Sequence, residues 1–222
     1  VLGTTFALLA IGAVAFLVIE WNGAFKDLSA LDKAIAAFFQ STTPRTAGFD
    51  TVPQSLLSMP SVLLILLLMF IGASPGSTGG GVKTTTFFVV FEASLRGVDP
   101  TNGSLVFKGR SVDSRMIAKA IGVIGKALVI IVFAIMIIFA IEADALSTGR
   151  MEFVEVVFEV LSAFATVGLS LGITSSLAAA SKLVLILTMF IGRIGLFTFA
   201  IPLPSKHIER FVDFPKAEMM IG

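Results

Sequence analysis

Residues 117–141, "AKAIGVIGKALVIIVFAIMIIFAI" with its flanks, are almost wholly apolar, with Lys126 near the start of the run. About 20 such residues in a helix cross the ~30 Å hydrocarbon core of a bilayer. Residues 1–19 and 177–203 make two further runs of this kind. A fourth, residues 55–95, is cut in its middle by the polar, glycine-rich stretch "GASPGSTGGGVKT". Composition agrees with a membrane chain. Mean hydropathy is +0.99 and 14% of residues are charged, against roughly 25% in an average soluble domain.

Two amphipathic segments, residues 31–42 ("LDKAIAAFFQST") and 151–164 ("MEFVEVVFEVLSAF"), are too short to cross a bilayer and fit re-entrant helices. The first runs into Thr46-Ala47-Gly48-Phe49 and the second into Thr166-Val167-Gly168-Leu169, an offset of 120 residues. The same offset relates "MFIG" at 69–72 to "MFIG" at 189–192. Two matches at one offset predict an internal repeat. The expected fold is an all-α membrane protein with two tandem span–pore helix–span repeats. The second span of the first repeat is broken by an intramembrane loop. The expected divisions are a first repeat over 1–95, a cytoplasmic connection over 96–116, a second repeat over 117–203 and a cytoplasmic tail over 204–222. The sides follow from basic residues near membrane ends. Arg96, Lys108, Arg110, Arg115 and Lys119 crowd the connection, and Lys206, Arg210 and Lys216 the tail.

Irregular backbone at membrane depth survives only when buried in protein or lining a water-filled path. A short helix followed by Thr-x-Gly can line such a path with carbonyl oxygens that replace a cation's hydration shell. Gly48 and Gly168 permit backbone angles closed to other residues. The helix C-termini turn negative dipole ends toward the site, which favours a cation. An ordinary glycine C-cap accounts for either loop alone, but not for the same ending at the same place in both repeats.

The stretch "GSTGGGVKT" invites a phosphate-binding reading. That motif needs Gly immediately before Lys, between a strand and a helix. Here Val82 precedes Lys83 and the flanks read as membrane helix. A gate fits better. Gly72, Gly76, Gly79, Gly80 and Gly81 loosen the backbone, and Pro75 ends the helix before it. Ser74, Ser77, Thr78 and Lys83 must face water or protein. At the repeat offset Ala73 corresponds to Arg193, within the last span. An arginine there costs ~2.5–3.5 kcal/mol, so it is expected to face a cavity and to form the barrier with the loop. Lys83 and Lys126 also admit a snorkelling reading. Asp50 and Glu159 are expected to be solvated or hydrogen-bonded locally, and His207 to be exposed in the tail.

Cysteine is absent and His207 is the one histidine, so no thiolate or histidine metal cluster is available. No carboxylates cluster in the spans, which argues against an intramembrane enzyme. A net charge of +1 without a basic aromatic stripe argues against nucleic acid.

The stretches "STTPRTAGFDTV", "GASPGSTGGGVKTTTF", "SAFATVGLSLGIT" and "MFIGRIG" resemble the membrane subunit of bacterial Ktr/Trk potassium transporters, and the terminal "MMIG" looks closer to the Ktr branch. The resemblance implies four span–pore–span repeats set pseudo-fourfold around one ion path, of which this chain matches the third and fourth. Val1 lies within an apolar run, and the chain reads as a fragment whose first two repeats are missing; otherwise two copies must assemble. The implied filter is Thr46, Ala47, Gly48 and Phe49 with Thr166, Val167, Gly168 and Leu169, binding potassium through backbone carbonyls. The implied gate is the 72–83 loop with Arg193. Also implied are a homodimer in the plasma membrane, a cytoplasmic C-terminus and a cytosolic ring of nucleotide-binding regulatory subunits. The chain itself would bind no cofactor. Potassium is the transported ion, with sodium admitted as a coupling or stimulating ion. Neither loop has a long Thr-Val-Gly-Tyr-Gly run, so looser selectivity is expected. The alternative is a secondary transporter of another small solute working by alternating access. Its repeats are often inverted, whereas these two run in the same order.

Overall fold

The computed structural model describes residues 1–97, 104–107 and 110–194. The expectations for Lys108, for the end of the last span and for the tail with Lys206, His207, Arg210 and Lys216 lie outside the described residues. The helices are α1 (Leu2–Glu20), α2 (Ala30–Thr42), α3 (Met59–Phe70), α4 (Thr84–Arg96), α5 (Ser114–Ile141), α6 (Ala143–Ser147), α7 (Phe153–Ala165) and α8 (Ala179–Ile194). The order of long helix, short helix and third helix occurs twice, as α1-α2-α3 and as α5-α7-α8. The expectation of helices alone misses one element. In the connection, β1 (Ser104–Phe107) and β2 (Arg110–Asp113) form an antiparallel hairpin, with Leu105 opposite Val112.

Helices α1 and α5 are long and apolar enough to cross a membrane, with window hydropathies of 2.4 and 2.9. Their residues divide into a narrow packed stripe and a wide exposed apolar face. On α5 the buried residues Val123, Ala127, Ile131, Ala134 and Ile138 form a helical stripe that packs with Val156, Val160 and Phe164 of α7 and Leu185 of α8. The opposite face, including Val129, Val132, Phe133 and Met136, is exposed. A second core joins Phe16 of α1 and Ala36 and Ala37 of α2 to Val62, Ile65 and Leu68 of α3. Phe158, Val167 and Leu169 from the second repeat complete it.

Local chemistry sets the helix starts. Ser29 caps α2, its hydroxyl accepting from Asp32 N–H at 3.2 Å. Glu152 and Glu155 form a reciprocal capping box at α7. Pro60 sits in the first turn of α3, where its missing N–H costs little. The apolar run 55–95 breaks into α3 and α4, with residues 71–83 between them.

Two buried carboxylates clamp helix starts, one between α1 and α3 and one between α5 and α8. Glu20, at the end of α1, is fully buried and accepts from Ser58 N–H at 2.9 Å and from the Ser58 hydroxyl, at the start of α3. Glu142, at the end of α5, accepts from Ala178 N–H and from the Ser181 hydroxyl, both at 2.7 Å, at the start of α8. A carboxylate at a helix N-terminus meets unsatisfied N–H groups and the positive end of the helix dipole. Sequence reasoning missed both clamps. Their signal was a Glu closing each long apolar run and a Ser at 61 and 181, one repeat apart.

Candidate functional site

Both Thr-x-Gly loops leave their short helix with left-handed backbone. Thr46 has φ +73° and Gly48 +73°; Thr166 has φ +54° and Gly168 +94°. Thr46 and Thr166 are the non-glycine residues with positive φ among the described residues. This conformation is a genuine outlier for a β-branched side chain and costs about 1–3 kcal/mol.

The N–H groups of the loops are tied inward. Ala47 and Gly48 donate to the Thr43 carbonyl at 3.2 Å, and Phe49 N–H to the Thr43 hydroxyl at 2.9 Å. In the second loop Val167 donates to Ser162 O at 2.9 Å and Gly168 to the Ser162 hydroxyl at 3.2 Å. Among the described residues, the carbonyls of 46–48 and 166–168 accept no hydrogen bond. Carbonyls without a protein partner need water or a cation.

The loops meet. A Cβ on Gly48 would collide with the Val167 carbonyl oxygen, so only glycine permits this approach. Val167 and Leu169 are buried against the first repeat, whereas Ala47 and Phe49, at the matching positions, are exposed, Phe49 by 71%. Behind each loop a polar side chain from the short helix joins a hydrogen-bonded group with the residues two and six past the glycine, through Gln54 in the first loop and directly in the second. In the first, Gln40 Nε2 donates to Gln54 Oε1 and Gln54 Nε2 to Asp50 Oδ1, each at 2.7 Å. In the second, Glu159 Oε1 accepts from the hydroxyls of Ser170 and, at 2.9 Å, Thr174.

Residues 71–83 fold back against these loops. Val82 N–H bonds Phe70 O at 3.1 Å and Thr84 N–H bonds Ala73 O at 3.4 Å, which closes the ends of the segment. Gly72 lies against the backbone of Gly80 and Gly81, with no room for a Cβ. Gly79 lies against the Thr46 side chain and Gly80 against Thr166. Gly80 N–H donates to Thr166 Oγ1 at 2.8 Å. Ser74 Oγ lies 3.2 Å from Thr5 Oγ1 of α1. Ser77 donates to Ser74 O at 2.7 Å. Gly76 (φ +82°), Ser77 and Thr78 form an exposed tip, and Gly81 has φ +73°.

Lys83 Nζ bonds the carbonyls of Gly79 and, at 3.4 Å, Ser77. Lys83 thus ties together the carbonyls on either side of Thr78. Arg193 is exposed near the end of the described part of α8, close enough to Lys83 for the two charges to repel. It lines an open cavity of about 590 Å³ together with Glu159, Ser162, Thr166, Gly168 and Met189. Gly192 beside it has no room for a Cβ against the Phe164 backbone, which brings α8 onto the end of α7. A further cation escaped sequence reasoning. Arg45, directly before Thr46, donates to Thr5 O at 3.3 Å, and its buried Nε has no partner among the described residues.

The family model described as "TrkH: Cation transport protein" matches residues 1–210. The chain belongs to this family. Among the relatives, it is 38% identical to the Ktr system potassium uptake protein D of Bacillus subtilis over 216 residues, covering 97% of this chain and 46% of that protein. It is 34% identical over 227 residues to the potassium/sodium uptake protein NtpJ of Enterococcus hirae, covering 100% of this chain and 49% of that protein. The fold matches the crystal structure of the potassium transporter TrkH from Vibrio parahaemolyticus with a TM-score of 0.72 and 21% identity, over 91% of this chain and 43% of that one. The chain thus spans about half the length of the TrkH-family relatives it matches. The family is one of membrane cation transporters, not of enzymes.

Proposed function

We propose that the chain forms half of a potassium-conducting pore in the plasma membrane. The two Thr-x-Gly loops supply filter carbonyls and the 71–83 segment is the gate. The observation that carries this reading is the meeting of the loops at Gly48 and Val167, with their carbonyls unpartnered among the described residues and a glycine-rich segment packed on both filter threonines. Potassium as the ion comes from the names of the relatives, and sodium as a coupling ion fits the potassium/sodium name of one of them. The pore is completed by two further repeats, which would cover the exposed Ala47 and Phe49. The division into repeats 1–95 and 117–203, joined by a cytoplasmic connection and followed by a cytoplasmic tail, belongs to this proposal. So do a homodimer and a cytosolic nucleotide-binding ring docked on the connection and tail.

The test is growth on low potassium of a bacterial strain without its own uptake systems. The chain is expressed alone and joined to the N-terminal half of a Ktr relative. Rescue by the joined protein, abolished by Gly168→Asp, is the expected result, because a carboxylate side chain at a φ of +94° disrupts the loop backbone. Failure of both forms, with the protein present in the membrane, overturns the reading in favour of another solute.

A further inference from the structure

We propose that the closed gate and a permeating cation compete for the filter threonine hydroxyls, so that a cation at the inner end of the filter and the packed loop exclude each other. This rests on the filter reading above and goes beyond it by naming an ion site and what occupies it when the gate is shut. The ligand is a partly dehydrated monovalent cation.

Thr46 and Thr166 open the two Thr-x-Gly loops at matching repeat positions. Each meets one of two successive glycines of the 71–83 segment. Gly79 lies against the Thr46 side chain, and Gly80 N–H donates to Thr166 Oγ1 at 2.8 Å. A Cβ on either glycine would press into the threonine it faces, so the contact is written into the glycine pair. Both threonines hold a left-handed backbone disfavoured for their side chains, a strain characteristic of functional positions.

A hydroxyl oxygen ligates a cation through its lone pairs. When Gly80 points its amide hydrogen at Thr166 Oγ1, that partial positive charge stands where the cation would be. Lys83, bonded to the Gly79 carbonyl on the other side of the same peptide group, holds that amide in place. A cation drawn to this oxygen repels the amide hydrogen of Gly80 and takes up the lone-pair density that it shares, and the loop loses its bond to the filter. Linkage makes the effect reciprocal: release of the loop raises cation affinity by the factor with which the cation releases the loop. The pore is then opened in part by its own substrate.

The absence of cysteine makes this measurable. Ser77→Cys places a single thiol at the exposed tip of the segment. It is introduced into the joined protein, with cysteines of the added half replaced, in inside-out vesicles. The rate of modification by a charged methanethiosulfonate reagent is followed as K+ replaces N-methyl-D-glucamine at constant ionic strength. We expect K+ to raise the rate about fivefold or more, the lower end of ordinary coupling. Thr166→Val, which keeps the shape but lacks the hydroxyl, is expected to give fast labelling indifferent to K+. Thr166→Ser keeps the hydroxyl and the K+ response. Gly80→Ala reaches the released state from the loop side with Thr166 intact. A rate that is flat in K+, or a Thr166→Val protein that still responds to it, overturns the competition. Heat protection by K+ is measured on the same sample. Protection with flat labelling leaves the filter reading standing and removes the competition; neither effect removes both.

Discussion

Gly48 and Gly76 have nearly the same positive φ, +73° and +82°, in different surroundings. Nothing lies within 4 Å of a Cβ built on Gly76, whereas one on Gly48 collides with the Val167 carbonyl. Gly76→Ala is expected to cost about 1 kcal/mol of backbone strain and to leave ion selectivity intact. Gly48→Ala must also push one filter loop off the other, and is expected to lower K+ uptake and the discrimination against Na+. Rubidium uptake with sodium competition in the joined protein distinguishes the two. The need for glycine at 48 and 168 was legible in the sequence, because Thr-x-Gly occurs at one offset in both halves. The atom that Gly48 admits, the Val167 carbonyl oxygen, was not. Gly48 faces a residue more than 100 positions away, and no local pattern encodes such a contact.

At the scale of elements, buried carboxylates tie the ends of α1 and α5 to the starts of α3 and α8. Glu142 accepts two hydrogen bonds from the first turn of α8, one from a backbone N–H that has no other partner. Glu142→Ala leaves that donor and the buried Ser181 hydroxyl unsatisfied. The expected loss is about 2 kcal/mol or more, read as a fall of several degrees in the Tm of the detergent-solubilised protein. Glu142→Gln keeps an acceptor and is expected to lose less. The helices themselves were largely legible, since 31–42 and 151–164 lie within three residues of α2 and α7 at either end. The β1–β2 hairpin was not. Its strands are four residues each, too short for an alternation of side chains to stand out in a basic connection.

At the scale of the whole molecule, Val167 and Leu169 of the second Thr-x-Gly loop share a core with α1, α2 and α3, while Ala47 and Phe49 of the first loop are exposed. On the other side of the second loop, Arg193 lines the open cavity beside Thr166 and Gly168. A fixed positive charge below a filter opposes cation passage. Arg193→Ala in the joined protein is expected to raise the K+ leak measured by rubidium efflux from vesicles. An unchanged leak in correctly inserted protein removes Arg193 from the barrier. The membrane class, the two short helices with their glycine endings and the break in the run 55–95 are written along the chain. Each of these follows from length, hydropathy or residue type along the chain. The packing of the chain in three dimensions set Lys83 on the carbonyls of Ser77 and Gly79. It alone brought Gly79 and Gly80 onto Thr46 and Thr166, and placed Glu20 and Glu142 on the helix starts. These contacts join residues from different elements, and their partners are selected by how the helices pack in space.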